Sequence, residues 1–315
     1  MNRRAMPEVE LDIVDLSHDG RGVARVEGKA VFVAGALAGE RAKARVVKRS
    51  RQFDEAEAFE VIVAAADRVA PECAHFGTCG GCALQHLAPQ AQILAKQRTL
   101  LENLERIGHV APARVLDPLT GDPWRYRRRA RLSVKHVEKK GRTLVGFRER
   151  DGRFVAEIER CHVLHPAIGE RIGELAALVE SLDAKREIPQ IEVSIGDALA
   201  GIVVRHLVPL TDGDRAKLVA FAQSSGLAVW LQPGGNDSVA PLYPAEPKLS
   251  FALPHHGVEM AFEPLDFIQV NGAMNEAMID HALALLEPQP TERVLDLFCG
   301  LGNFTLPLAT LAREV

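Results

Sequence analysis

Three of the five cysteines in this 315-residue chain fall within ten residues, at Cys73, Cys79 and Cys82, and a fourth, Cys161, lies far downstream. Three near thiols and one distant thiol can close four ligands around an iron–sulfur cubane or a zinc ion. Four protein thiolates saturate such a site, which argues against a radical enzyme whose cofactor occupies an open iron. The spacing leaves iron–sulfur and zinc equally open, and four unrelated buried cysteines are the remaining alternative.

A second candidate site is the glycine turn in the stretch VLDLFCGLGNF. Gly300 and Gly302 allow the backbone to turn tightly and to approach a ligand, and the helix predicted after them supplies free amide donors. A dinucleotide-binding turn has a third glycine close to where Asn303 stands here. The shorter turn after Asp296 suits the carboxylate and adenosine of S-adenosylmethionine better than a pyrophosphate. The alternative is an ordinary β–α turn.

Basic residues are concentrated in two runs, although the net charge is −4. Six Lys and Arg with no acid lie between Arg41 and Arg51, and twelve against three acids lie between Trp124 and Arg153. In WRYRRRARL, arginines that grip phosphates alternate with Trp124 and Tyr126, whose rings can stack on splayed bases. These runs predict an RNA-binding track. The alternative is a charged strand face that pairs with nearby acids.

The elements that must position these residues fall into three predicted domains. Residues 1–66 show short Val-rich alternating runs broken by glycines, which predicts an OB-type β-barrel. Residues 67–270 alternate helix and strand signals around the cysteine loop, which predicts a mixed α/β central domain. Residues 271–315 hold a helix, the short apolar strand ERVLDLF, the glycine turn and the start of a further helix. One such β–α unit cannot build a parallel sheet, so we expect the chain to be cut off inside a Rossmann-like domain.

Four stretches together resemble one family over nearly the whole chain. CAHFGTCGGCALQH, ERCHVLHP, DFIQVN and VLDLFCGLGNFTLPLA are similar to motifs of the bacterial RNA 5-methyluridine methyltransferases. The N-terminal barrel resembles a TRAM domain, an RNA-binding OB-type module. A barrel combined with the cysteine cluster resembles the branch that acts on 23S ribosomal RNA, and in particular the class that modifies uridine 1939.

This resemblance implies two cofactors. One is a [4Fe-4S] cluster on the four cysteines of the C-x5-C-x2-C motif and ERCHVLHP. The other is S-adenosylmethionine at the glycine turn, contacted by Phe298 at the end of the strand and by Asn303 at the start of the helix. Gln269, within DFIQVN, is implied to reach into the cofactor and substrate site. Taken without the family, Gln269 is better interpreted as a surface or helix-capping residue.

The resemblance also implies the chemistry. The family adds a cysteine thiolate to C6 of uracil, which makes C5 able to accept a methyl group, and a general base then removes the C5 proton. The family's nucleophile, base and D-P-P-R-like motif would all lie beyond Val315, so we expect no catalytic residue in this chain and no methyl transfer by it alone. Cys299 is predicted to be a small buried residue that packs under the turn.

The composition is that of a globular protein, with 47% hydrophobic and 25% charged residues. No stretch is long and apolar enough to span a bilayer, and the start lacks the apolar core of a signal peptide. We therefore expect a cytoplasmic monomer that binds 23S ribosomal RNA and no membrane. A rival hypothesis is a non-catalytic RNA-binding protein that carries an iron–sulfur or zinc site.

Overall fold

The computed structural model describes residues 7–315, which form two compact units with the boundary between Pro118 and Leu119. The predicted domain bounds at 1–66, 67–270 and 271–315 are not tested by this division and stay a prediction. Each unit is described below by itself.

The first unit begins with a six-stranded sheet in the order β1-β5-β6-β4-β3-β2. Its strands are β1 Glu8–Asp12, β2 Asp15–Leu16, β3 Gly22–Val26, β4 Lys29–Ala34, β5 Arg41–Arg49 and β6 Phe53–Val63. β4 pairs in parallel with β6, and the other pairs are antiparallel. Small apolar side chains at alternate positions, among them Val31, Val33, Ala42 and Ala44, form the core of this sheet. The all-β prediction is confirmed.

A cysteine-rich loop and one helix complete the first unit. The loop is closed at its base by the Val69 N–H, which donates to the His86 carbonyl at 3.0 Å, and by the Ala88 N–H, which donates to the Asp67 carbonyl at 2.9 Å. Helix α1 then runs from Pro89 to Arg106 with proline in its first turn, a position at which the missing N–H costs nothing. The proline near its start and the apolar residues at helical spacing from Ile93 to Ile107 predict this helix, and the structure confirms it.

The second unit contains a six-stranded sheet in the order β12-β11-β10-β9-β7-β8. Its strands are β7 Arg129–Val137, β8 Arg142–Gly146, β9 Gln190–Ile195, β10 Ala200–Arg205, β11 Ala228–Gln232 and β12 Ala240–Tyr243. Helices α2 Pro166–Gly169, α3 Ile172–Ser181 and α4 Asp212–Ser225 lie between them in sequence. β10 and β11 are parallel and are connected by α4, as a parallel pair requires a crossover.

The remaining elements pack together on this sheet. They are the hairpin β13 Leu249–Leu253 and β14 Val258–Phe262, helix α5 Gly272–Leu286 and the short helix α6 Thr305–Ala309. Ile268, Ile279, Leu283 and Leu308 are buried in one apolar cluster with Trp230 of β11. The segments before α5 and before α6 are therefore anchored to a common core.

The predicted strand ERVLDLF is wrong for this structure. Residues 294–298 have no strand conformation, and a single bridge pairs Arg293 with Glu314. Leu295 is 79% exposed and Leu297 is 69% exposed. A strand exists through hydrogen bonds to a neighbouring strand, and within residues 7–315 no other strand lies beside this segment.

Candidate functional site

Gln269 lies in the loop between β14 and α5, in the segment that carries DFIQVN. Phe267 is 79% exposed, Ile268 is buried in the core, and Gln269, which follows them, is half-buried. The helix cap of α5 is Asn271, whose side-chain oxygen accepts from the Met274 N–H at 3.1 Å. The helix-capping interpretation of Gln269 is therefore replaced, because the cap belongs to Asn271.

Arg128 holds this loop in place from a distant part of the chain. Its backbone N–H donates to the Val270 carbonyl at 2.8 Å. Its guanidinium pairs with Asp197 at 2.5 Å, and the second oxygen of Asp197 accepts from the Ala252 N–H at 2.8 Å. The guanidinium also covers Gly272, where a Cβ atom would lie 3.0 Å from the Arg128 Cζ atom. One arginine thus ties the Gln269 loop, the start of α5 and β13 together.

The glycine turn has the backbone that its sequence predicts. Gly300 has φ of 59° and Gly302 has φ of 95°, the left-handed conformation that glycine adopts without strain. Phe298 also has a positive φ, of 61°, and its side chain is fully exposed. Asp296, before the turn, accepts from the Thr305 hydroxyl at 2.5 Å. This bond clasps the two ends of the turn.

Asn303, at the end of the turn, is bound to a residue that the sequence analysis did not identify. Each of Asn275 and Asn303 donates its amide N–H to the other's oxygen at 2.8 Å. Asn275 lies in the first turns of α5 and is 3% exposed. The first two turns of α5 therefore connect directly to both the Gln269 loop and Asn303, whereas the Phe298 side chain points into solvent. Nothing in the local spacing marks Asn275, because its partner is 28 residues away.

Cys73, Cys79, Cys82 and Cys161 are half-buried, and they belong to both units. In the loop of the first unit, the Phe76 N–H donates to the Cys73 carbonyl at 3.0 Å, which begins the turn that carries Cys79. In the second unit, the Cys161 N–H donates to the Gly169 carbonyl at 2.8 Å. Thiols are suitable donors for iron–sulfur clusters or zinc. In the described part of the chain, however, no three His, Cys, Asp or Glu side chains are gathered as a metal site.

Cys299 is exposed, so the prediction that it packs under the turn is wrong. The leucines at 295, 297 and 301 and Phe298 around it are exposed as well, and Asp296 is half-buried. A small residue is buried only where a second layer covers it, and the turn has no such layer among the described residues.

Most arginines of WRYRRRARL are used within the fold. Arg127 donates to the Arg129 carbonyl at 3.0 Å, Arg129 donates to the Pro264 carbonyl, and Arg131 pairs with Glu192 at 2.8 Å. Arg128 binds Asp197 as described. Arg125 is exposed, and its backbone N–H donates to the His162 carbonyl at 2.8 Å, beside Cys161. The charged-face alternative therefore describes Arg128 and Arg131, whereas Arg125 faces solvent.

The basic run of β5 is paired in a similar way. Arg41, Lys43, Arg45 and Lys48 lie 2.8–3.4 Å from Glu10, Glu60, Glu8 and Glu55, respectively. Exposed pairs of this kind contribute only about 0–1 kcal/mol each. A phosphate that approaches this face can therefore compete for the cations at small cost.

Comparison with known proteins identifies the family to which this chain belongs. Residues 7–59 match the TRAM domain family, and residues 250–315 match the tRNA (Uracil-5-)-methyltransferase family. The chain is 58% identical, over its whole length and 71% of the relative's, to a 23S rRNA (uracil(1939)-C(5))-methyltransferase of Xanthomonas oryzae pv. oryzae. The chain belongs to this family of 23S rRNA methyltransferases. A member from Stenotrophomonas maltophilia is also 58% identical, over 97% of this chain and 70% of its own length.

Membership of this methyltransferase family confirms the resemblance and the fold class. Among solved structures, the crystal structure of the Pyrococcus abyssi tRNA (uracil-54, C5)-methyltransferase in complex with S-adenosyl-L-homocysteine matches with a TM-score of 0.67. The match covers 96% of this chain and 70% of that one at 19% identity, and it supports the shared fold. Within residues 7–315, no helix has the length and apolar character needed to cross a membrane.

Proposed function

We propose that this chain supplies the RNA-binding and cofactor-binding parts of an enzyme that methylates C5 of a uridine in 23S ribosomal RNA with S-adenosylmethionine as methyl donor. The observation that carries the proposal is the 58% identity over the whole chain to methyltransferases named for uracil 1939. The paired TRAM and uracil-5-methyltransferase segments support it, since they combine an RNA-binding module with the methyl-transfer fold.

Gln269 and Asn303 bind the cofactor, and Phe298 packs against it. The support is geometric, because the loop of Gln269 and the side chain of Asn303 are both tied to the start of α5. Side-chain amides donate and accept hydrogen bonds, which suits the amino acid and ribose groups of the cofactor. Phe298, fully exposed at the turn, offers an apolar face to an adenine ring.

The reaction requires activation of uracil, whose C5 is a poor nucleophile. A thiolate adds to C6, the enolate-like C5 takes the methyl group, and a base removes the C5 proton before the thiolate leaves. The target base must leave its stack to reach the cofactor. None of the five cysteines of this chain is proposed as the nucleophile, and the roles proposed for Gln269, Phe298 and Asn303 are binding and orientation.

Methyl transfer is tested with an enzyme that carries this chain together with the residues that supply the thiolate and the base, with labelled S-adenosylmethionine and a 23S ribosomal RNA fragment as substrates. Digestion of the RNA to nucleosides should yield labelled 5-methyluridine. Gln269→Ala should weaken cofactor binding, and Gln223→Ala, at an exposed position of α4, is the matched control. RNA binding without any methyl transfer would contradict the proposal and favour the non-catalytic rival.

We also propose a [4Fe-4S] cluster on Cys73, Cys79, Cys82 and Cys161. The support is the C-x5-C-x2-C spacing with one distant cysteine, the half-burial of all four thiols and the family resemblance. Analysis of anaerobically purified protein should find about four iron and four sulfide per chain. Cys161→Ser should lose the iron, and Cys299→Ser, outside the motif, should keep it. Zinc in place of iron, or no metal at all, would contradict the cluster.

The proposed setting is the cytoplasm, and the proposed assembly is a monomer that contacts RNA through β5 and Arg125. Sedimentation of the protein alone should give the mass of one chain. A second copy in the sedimenting species would contradict the monomer.

A further inference from the structure

We infer that Asn275 is a positioning residue for the cofactor, acting through Asn303. The inference rests on the proposed role of Asn303 in cofactor binding and goes beyond it, because Asn275 itself lies behind that residue. Asn275 is 3% exposed, whereas Asn303 is half-buried. Asn275 therefore acts from the protein interior and presents Asn303 towards the ligand.

The reciprocal pair couples the orientation of the Asn303 amide to that of the buried Asn275 amide. A single amide can rotate by 180° and exchange its N–H and oxygen with little cost. Here the inner N–H of Asn303 donates to Asn275 and its oxygen accepts from Asn275, both at 2.8 Å. Each amide has two N–H groups and two lone pairs, so one N–H and one lone pair of Asn303 remain for a ligand, in an orientation that is coupled to that of Asn275.

The position of Asn275 also fixes the spacing between the two proposed cofactor contacts. The Asn275 N–H donates to the Asn271 carbonyl at 2.9 Å within α5, and Asn271 ends the segment that carries Gln269. The turn that carries Asn303 is thus joined to the Gln269 segment through one rigid helical turn. A site is productive only when its supporting residues hold the contacts in place.

The Asn275→Asp variant is the informative change, because it keeps the shape of the side chain. The ionised carboxylate still accepts from Asn303 but cannot donate to its oxygen. The protonated carboxyl can do both, so cofactor affinity of this variant should recover as pH falls, while the unsubstituted protein shows no such recovery. Above the pKa of the new carboxyl, affinity for S-adenosylhomocysteine should fall about five- to tenfold, the value of one lost neutral hydrogen bond.

A double-mutant cycle separates positioning from general loss of structure. Calorimetric titration of the whole protein with S-adenosylhomocysteine should show that Asn275→Ala and Asn303→Ala are non-additive, because Asn275 acts through Asn303. Asp214→Asn is the control. Asp214 lies in α4, is fully buried and accepts from the Asp183 N–H at 2.7 Å, and neither residue belongs to the glycine turn or to the Gln269 loop. This variant should lower the melting temperature and leave cofactor affinity unchanged.

The possible outcomes are distinct. If Asn303→Ala binds S-adenosylhomocysteine normally, the proposed cofactor site itself is wrong. If Asn303→Ala weakens binding but the Asn275 variants do not, or if the two effects simply add, the positioning role of Asn275 is wrong. Non-additive loss together with recovery of the Asn275→Asp variant at low pH supports it.

Discussion

Arg68 closes the first unit by binding the buried carboxylate of Glu40 with two of its nitrogens. The Arg68 Nη2 atom lies 2.8 Å from Glu40 Oε2 and 2.7 Å from the Gly35 carbonyl, and the Glu40 side chain is fully buried. Burial by itself raises the pKa of Glu40, but hydrogen bonds from Arg68 and from the Leu37 and Ala65 N–H groups outweigh it and lower that pKa. The segment that follows β6 is thereby tied to the turn before β5.

Replacing Arg68 by Met should destabilise the first unit by about 3 kcal/mol, because a buried carboxylate loses its cation. Hydrogen exchange of the β4 to β6 amides, followed by mass spectrometry, measures the free energy of opening of this sheet. Arg51→Met, at an exposed bend of the same unit, should leave exchange unchanged. Equal protection in the two variants would show that the pair contributes nothing.

The lowered pKa of Glu40 predicts that the stability of the first unit depends on pH. The folded-state pKa of Glu40 is lowered, so its contribution to stability is present above the unfolded value of about 4.3 and is lost as pH falls through the folded value. Protection of β4 to β6 should therefore decline in acid more steeply in the unsubstituted protein than in Arg68→Met. Parallel declines would contradict this assignment.

Gly201 in β10 should not tolerate alanine. A Cβ atom there would lie 2.8 Å from the Ala228 carbonyl oxygen and would overlap the Trp230 ring. Overpacking of this kind costs about 1–3 kcal/mol, which urea unfolding monitored by tryptophan fluorescence can measure. Gly213→Ala, in the first turn of α4, where a Cβ atom would lie in ordinary van der Waals contact 3.6 Å from the Thr211 Oγ1 atom, should instead stabilise by about 0.4–1 kcal/mol. If Gly201→Ala left the free energy of unfolding unchanged, β11 would have to move away without cost, and the predicted overpacking would be wrong.

His255 should titrate above its ordinary range. Its ring is hydrogen-bonded to Asp280 at 2.7 Å, and that bond, with the charges of Glu276 and Asp280, raises the pKa of His255. The stabilisation is present below the unfolded pKa and is lost as pH rises through the folded one. NMR titration of the ring should show a lower pKa in Asp280→Asn and no change in Asp237→Asn, at an exposed position of the 3-10 helix Asn236–Ser238. If the pKa of His255 were unchanged in Asp280→Asn, the proposed effect of the Asp280 ion pair on His255 would be wrong.

RNA affinity should depend on Arg125 more than on Arg131. Arg125 is exposed, whereas the Arg131 guanidinium pairs with Glu192, so its charge is already partly neutralised. The slope of log affinity against log salt concentration, measured with a 23S ribosomal RNA fragment, should be about one unit smaller in Arg125→Ala if that side chain contacts a phosphate. Arg131→Ala should change the slope less, and the reverse order would contradict this assignment.

Local patterns were sufficient to predict the elements that depend on local interactions. α1 follows from a proline in the first turn and apolar residues at helical spacing. The hairpin of β7 and β8 follows from the sequence itself, in which the turn EKKG joins the two strand-like stretches WRYRRRARLSVKHV and TLVGFRER. The positive φ angles of Gly300 and Gly302 follow from the glycine turn. Each of these features is decided within a few residues of the chain.

Features that depend on distant residues could not be predicted in this way. The partners of Arg128 and Asn275 lie 69 and 28 residues away, and no spacing rule marks them. The strand ERVLDLF has the composition of a strand, but its conformation requires a neighbour. Burial of Cys299 likewise depends on what covers it.

The close fit of the Arg128 guanidinium over Gly272 also has a consequence for how this sequence can vary. Gly272 has no side chain, and the guanidinium occupies the space that one would fill. Alanine at Gly272 would force the guanidinium to move by a few tenths of an ångström from its position beside Asp197, and a smaller residue in place of Arg128 would open a gap. In the evolution of this chain, the two positions should therefore change together or not at all, although 144 residues separate them in sequence.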